Sequence, residues 1–238
     1  MLQRFFRLEF KSFFRSSSLA ANIVVKIFQL LGVLYIRAIF VFAAFGAFYF
    51  PKHKLHIDPL PFISKFLIYW LIADLFLRYF FQQMPTQNIK PFLTMNIKIT
   101  TLVNYMISKT FLSFFSWGGL FIYLPLLGIL LYNDYSVLGS FSWVFALIIL
   151  SFSINLINIL LNGKDLAIWI IGGLLVLAGG LDYYNVIALS SASEKFFMLF
   201  YNHWFAIVLS IALFVILYII CRKFIYDNFY LDKGLEMK

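Results

Sequence analysis

Cysteine occurs once in this chain, at Cys221, which excludes an internal disulfide and any cysteine spacing suited to a metal or redox centre. Cys221 is read as a small residue that is buried or faces lipid. Carboxylates are scarce too: ten Asp and Glu stand against nineteen Lys and Arg, and charged residues make up only 12% of the sequence. Gly163-Lys164 runs into Asp165 and lacks the upstream glycine of a phosphate-binding loop, so the chain does not read as its own ATPase. H-E-x-x-H and G-x-S-x-G are both missing. His53 and His56 are three apart, but no third ligand type accompanies them, and His203 stands alone. The expectation is a chain that is not an enzyme, with no catalytic residue, no metal and no cofactor of its own.

What the sequence does have is length in apolar runs. It is 63% hydrophobic with a mean hydropathy of +0.92. Six stretches are apolar enough to match a hydrocarbon core of ~30 Å, which needs about 20 residues of helix. They cover about 23–50, 62–84, 102–132, 140–161, 166–189 and 204–224. A soluble fold of 238 residues has no interior able to hide all six. The fold class expected is therefore an all-α membrane protein with six transmembrane helices. Residues 1–18 form an interfacial segment, 19–226 the transmembrane domain and 227–238 a cytoplasmic tail. Aromatic residues reach 21%, with 31 Phe, many expected to face lipid. Tyr49, Trp70, Tyr132, Trp143, Tyr183 and Trp204 lie where interface anchors are expected.

The net charge of +9 would suggest nucleic acid in a soluble domain, but here its distribution decides. With the N-terminus inside, the inner segments collect Arg4, Arg7, Lys11, Arg15, Lys90, Lys98, Lys109, Lys164, Arg222, Lys223, Lys233 and Lys238. The outer loops hold only Lys52, Lys54 and Lys195, with Lys65 at an outer helix edge and Lys26 at the inner start of span one. This positive-inside bias places both termini in the cytoplasm. No short apolar stretch with a small-residue cleavage site follows the basic first residues, so no removed signal peptide is expected.

Between the spans the chain is sparing. Leu2, Phe5, Phe6, Phe10, Phe13 and Phe14 recur at helical offsets, while Arg4, Arg7, Lys11 and Arg15 fall largely on the other side. This amphipathic helix should lie flat on the membrane, its basic face toward anionic headgroups. Pro51, Pro59 and Pro61 argue against helix in the first outer loop, which is read as solvated. Pro85 ends span two, and Pro91 suits the first turn of a short helix between spans two and three. Gly163 can stop span four and Asp165 can cap span five. Residues 190–203 are read as an outer re-entrant or interfacial piece.

Charges inside spans are the sharpest signal, because each costs several kcal/mol unless paired or hydrated. Arg37 in span one and Asp74 in span two reach similar depth, and Arg78 follows Asp74 by one turn. They are expected to cluster toward the bundle interior, either as a structural clip or with surplus positive charge for an anionic substrate or headgroup. Asn155, Asn158 and Asn162 share one face of span four, as expected of polar glue between helices. Gly172-Gly173 and Gly179-Gly180 read as a packing or dimer seam.

The order of these parts resembles the permease subunits of ABC-2-type transporters. The local likeness is carried by Phe92-Leu93-Thr94-Met95-Asn96-Ile97-Lys98, then Leu102-Val103 and Ile107-Ser108-Lys109. It is similar to the family's coupling-helix stretch, but Asn96 stands for its proline and Ser108 for its glycine. The N-terminal half, with Leu8-Glu9-Phe10-Lys11 and Asn88-Ile89-Lys90-Pro91, resembles a group of bacterial permease-like membrane proteins of roughly twice this length. The resemblance implies a bacterial cytoplasmic-membrane export permease, possessing a coupling surface of Lys90, Pro91, Phe92, Thr94, Asn96 and Lys98. It also implies a separate ABC ATPase that holds ATP and Mg²⁺, a second permease unit, and a lipid-like or amphiphilic substrate. Two readings compete with it: a non-transporting scaffold of a membrane complex, and a lipid-modifying enzyme built around Asp74 and the two arginines.

Overall fold

A computed structural model describes residues 23–82, 99–184 and 186–227, and every element in it is helical. Helix α1 (Ile23–Phe50) continues into a π-helical turn, Pro51–Leu55. After a reversal at His56, α2 runs Pro59–Phe81. Then come α3 (Ile99–Phe111), α4 (Phe114–Gly118) and α5 (Leu120–Tyr132). Helix α6 is Val137–Leu161, α7 Asp165–Tyr183 and α8 Leu189–Asn202. A 3₁₀ turn, Trp204–Ala206, leads into α9, Ile207–Asp227.

Among the described residues five helical stretches are long and apolar enough to cross a membrane: Leu34–Leu55, Pro59–Phe81, Val137–Leu161, Asp165–Tyr183 and Trp204–Asp227. A sixth crossing is made if Ile99–Phe111 and Ser116–Tyr132, bent by 41°, count as one span. The outer surface is correspondingly apolar, with Phe42, Val176, Leu138 and Ile219 exposed. An apolar surface this extensive belongs in a bilayer. The expected all-helical membrane protein therefore stands, with five or six candidate spans among the described residues. The interfacial helix of residues 1–18, with Arg4, Arg7, Lys11 and Arg15, lies outside the described residues. So do the coupling surface from Lys90 to Lys98 and most of the tail.

Helix α6 forms the axis of the bundle. Trp143, Ala146, Leu147 and Leu156 on it are fully buried, and α2, α5, α8 and α9 pack around it. One apolar cluster joins α6 to Phe48, Leu60, Tyr123, Leu130, Phe197 and Phe200. A second joins it to Val103, Ile107, Cys221 and Ile225 toward the other end. Buried Cys221 packs there as a small apolar residue. Helix α7 stands at the edge, with Ile168 its one buried residue.

Several expectations are corrected. The prolines of the first outer loop sit in helical first turns: Pro51 opens the π turn and Pro59 opens α2, where Asp58 accepts the Leu60 N–H at 3.2 Å. A first turn has no intrahelical use for the N–H that proline lacks, so proline is tolerated there. The connection shrinks to residues 56–58, with His56 at φ 55° and its N–H turned back to the Pro51 carbonyl. Trp143 is not an interface anchor but fully buried, whereas Tyr132, Tyr183 and Trp204 are exposed. Residues 190–203, read as an outer re-entrant or interfacial piece, are helical up to Asn202 and are not among the candidate spans. They form most of α8, whose Ser193, Phe197 and Phe200 are buried against α2 and α6. Span five stops at Tyr183 rather than continuing to 189. Gly163 does stop α6, at φ 74°, a left-handed conformation that favours glycine. Asp165 does not cap α7; it accepts the Tyr79 hydroxyl at 2.5 Å.

Candidate functional site

The site is a polar layer at one level of the bundle. Counted from the reversal at 56–58, Arg78 lies nineteen residues beyond Pro59 in α2, about 29 Å along it at ~1.5 Å per residue. Arg37 lies eighteen residues back from Leu55, a somewhat shorter rise because that path includes the π turn. Asn155 lies eighteen residues into α6, whose first residue Val137 starts at the same end of the bundle. By this count Asp74, Arg37 and Arg78 fall within about one helical turn of one another along the bundle, at ~1.5 Å per residue.

Arg78 is at its centre. Its side chain is fully buried, yet its donors are engaged on three sides. Nε and Nη2 donate to Asp74 Oδ2 at 2.9 and 2.8 Å, one helical turn away. Nη1 donates to Asn155 Oδ1 at 2.7 Å, and Nη2 also reaches Ser151 Oγ at 3.1 Å. A buried guanidinium is tolerable only with such a complement of acceptors.

Span three breaks beside this layer. After α3 the helical ladder gives way to turns, Leu112 N–H to Lys109 carbonyl and Ser113 N–H to Thr110 carbonyl. Serines take over at the break. Ser113 Oγ caps α4 by accepting the Ser116 N–H, and it also accepts Gln82 Nε2 at 3.0 Å from the end of α2. Ser116 Oγ lies 2.6 Å from the Thr110 carbonyl and 3.1 Å from Asn155 Oδ1, so its one proton serves either acceptor. Gly119 lets the layer close: a Cβ there would meet the Tyr123 ring at 2.8 Å and Ser151 Oγ at 3.3 Å. Trp70 Nε1 donates to Tyr123 OH at 3.3 Å, so Trp70 is a bundle residue rather than an interface anchor.

Of the three charges singled out in the sequence, Asp74 and Arg78 are joined directly. The Arg37 guanidinium stands 4.3 Å over the Phe121 ring, and Gly118 faces its Nη1. Gly118 and Gly119 are adjacent, so Arg37 is one residue of α4–α5 away from Ser151. In the asparagine stripe, Asn155 enters the layer and Asn158 is fully buried, but Asn162 lies past the end of α6 and is exposed. The glycines of α7 divide: Gly172 faces Phe76 and Gly179 faces Tyr69, both on α2, while Gly173 and Gly180 meet nothing within 4 Å. Ser113, Ser116 and Ser151 escaped the sequence reading. Ser151 precedes Asn155 by one turn, so extending the asparagine face backward would have found it.

Among the described residues the layer brings the guanidinium groups of Arg37 and Arg78 and the carboxylate of Asp74 together with hydroxyls and amides. Among the described residues no three His, Cys, Asp or Glu come together to hold a metal ion. His53 instead stacks on Tyr49, ring centroids 5.7 Å apart.

No curated protein and no solved structure matches the chain. A family model does match, over residues 9–238, and the chain belongs to that family, DUF5687, a family of unknown function.

Proposed function

We propose that the chain is the permease subunit of an ABC-2-type exporter, energised by a separate ATPase and moving an anionic, lipid-like or amphiphilic substrate. The observation that carries this reading is the break in span three set against a buried, charged layer. Discontinuous helices and intramembrane charges together are features of transport paths. The coupling-type segment Lys90–Lys98 leads directly into α3, so a push on it would flex the chain at Ser113 and Ser116. Those serines touch Asn155 and Gln82, and through Asn155 the motion would reach Arg78. The intramembrane side chains of Arg37, Asp74 and Arg78 mark, in this reading, the level at which an anionic headgroup would pass. In this reading the protein sits in a bacterial cytoplasmic membrane with both termini inside, and a second permease unit completes the path.

The test is purification of the intact chain from its native membrane in mild detergent, with partners identified by mass spectrometry. An ABC ATPase should co-purify with the chain, and Phe92→Asp should release it while the permease stays folded. Recovery without any ATPase, under conditions that keep known permease complexes whole, would sink the proposal. It would favour the scaffold reading, for which the largely exposed edge helix α7 is the supporting observation.

A further inference from the structure

A second polar feature lies away from the Arg78 layer. Helix α9 starts near the Val137 end of α6, where Ser142 Oγ donates to the Trp204 carbonyl, so its C-terminal end is at the opposite face of the bundle. Between that end and the start of α3 is a cavity of about 340 Å³ lined by Thr100, Val103, Ile219, Arg222, Lys223 and Tyr226. Residues 219, 222, 223 and 226 are spaced three, four and seven apart, which puts them on one face of α9. Thr100 and Val103 are likewise one turn apart on α3.

The lining is graded along the membrane normal, and both helices grade in the same direction. On α9 the cations and the phenol are at the helix end, and Ile219 is one turn deeper. On α3, which runs the opposite way, Thr100 is at the end and Val103 one turn deeper. The cavity thus pairs a cationic, hydroxyl-bearing mouth with an apolar wall below it. Among the described residues neither Arg222 nor Lys223 enters a salt bridge, although Asp227 follows Lys223 by one turn. Lys164 adds a third cation at this end, with Nζ 5.3 Å from the Phe224 ring centroid.

A free inorganic anion would use the mouth and leave the wall idle. A phospholipid uses both: its phosphate meets Arg222 and Lys223 while the Tyr226 and Thr100 hydroxyls donate, and an acyl chain lies along Ile219 and Val103. Basic pockets between spans recognise anionic headgroups in this way. We propose that this cavity binds one anionic phospholipid by its phosphate, a site independent of whether the chain transports anything.

The experiment is native mass spectrometry of the full chain in detergent, titrated with phosphatidylglycerol, with phosphatidylcholine, or with inorganic phosphate as competitor. The wild type should retain one phosphatidylglycerol in preference to phosphatidylcholine, and millimolar-range phosphate should not displace it. Each surface cation contributes about fivefold in affinity, so Arg222→Gln with Lys223→Gln should weaken retention about twenty-five-fold. Tyr226→Glu, which keeps both cations but puts negative charge at the mouth, should also lose the lipid, guarding against a double variant that misfolds. Lys54→Gln with Lys195→Gln, at the other end of the bundle, should change nothing. The proposal is overturned if the wild type shows no preference between the lipids, or if the Lys54/Lys195 variant loses retention equally. Displacement by phosphate would also overturn it, by showing that the site reads the anion and not the lipid.

Discussion

Arg78 of α2 and Asn155 of α6 meet at 2.7 Å although 77 positions separate them in the chain. This contact ties an early span to the central helix at the level where span three breaks. In hydrocarbon, a guanidinium without acceptors would face a severe penalty. Here Asp74 supplies the countercharge, while Asn155 and Ser151 supply neutral acceptors on the facing helix. The ion pair is thus local to α2, and the neutral bonds carry the tie between helices.

Asp74→Asn should therefore be costly even though it is nearly isosteric. It removes the countercharge from a buried arginine, and breaking one side of such a pair costs about 3–5 kcal/mol. The expected result is a lower thermal midpoint, followed by helical circular dichroism in a fixed detergent. Replacing both partners, Asp74→Leu with Arg78→Met, should cost less than Asp74→Asn alone, since no uncompensated charge remains. A single variant that melts with the wild type would show that Asp74 is not what holds Arg78.

The contrast between Asp74 and Ser116 shows what could be read in the sequence. A carboxylate and an arginine four apart in an apolar run announce themselves, and i,i+4 geometry fixes their pairing. The spans were legible for the same reason, since hydrocarbon thickness dictates their length. The break in span three was not. Residues 102–132 stay largely apolar through it, and the serines at 113 and 116 join backbone turns in supplying the hydrogen bonds that replace the ladder. Serine is common in membrane helices, so its role there is decided by what it meets. Trp143 misled for a related reason: closeness to a span end suggests an interface, but α8 packs over that end of α6 and buries it.

The glycines give a test of packing in two directions. A Cβ at Gly139 would stand 2.7 Å from the backbone carbonyl of Tyr201, and 2.9 Å from carbons of its ring. Backbone cannot swing aside as a side-chain tip does, so Gly139→Ala should push α8 from α6 and cost about 1–3 kcal/mol. Gly173 meets nothing within 4 Å, and Gly173→Ala should stabilise α7 by about 0.5–1 kcal/mol. Parallel melts of the two variants read the sign directly. Destabilisation by Gly173→Ala would mean that a partner covers that face of α7.

Tyr135, in the turn before α6, yields a pH prediction. Its hydroxyl donates to Asp58 Oδ1 at 2.6 Å, joining the two turns at that end of the bundle. Burial, then the bond to Asp58 and that residue's charge, hold the phenol protonated well above its ordinary range. The folded state therefore keeps a proton that the unfolded state releases near pH 10. The stabilisation is complete below about pH 10 and is lost as pH rises from there toward the folded value. Tyr135→Phe should be less stable than wild type at pH 8, and the gap should narrow as pH climbs past 10. A gap that stays constant over that range would show that the Asp58 contact does not hold the proton.

Asn158 and Asn155 are nearly one turn apart on α6, and their substitutions should move stability in opposite directions. Asn155 accepts from Arg78, so Asn155→Leu strips a buried cation of an acceptor and should destabilise by about 1–3 kcal/mol. Asn158 is fully buried too, but neither its Oδ1 nor its Nδ2 has a hydrogen-bond partner among the described residues. A buried amide without partners costs about 1–3 kcal/mol, so Asn158→Leu, of similar volume, should raise the thermal midpoint. If Asn158→Leu lowers it instead, the amide has a partner and belongs to the interhelical glue. If it raises the midpoint and also impairs whatever the protein does in its membrane, an idle buried amide is excluded. The polar groups retained against stability would then include Asn158, and the working surface would extend along α6 from Ser151 to Asn158.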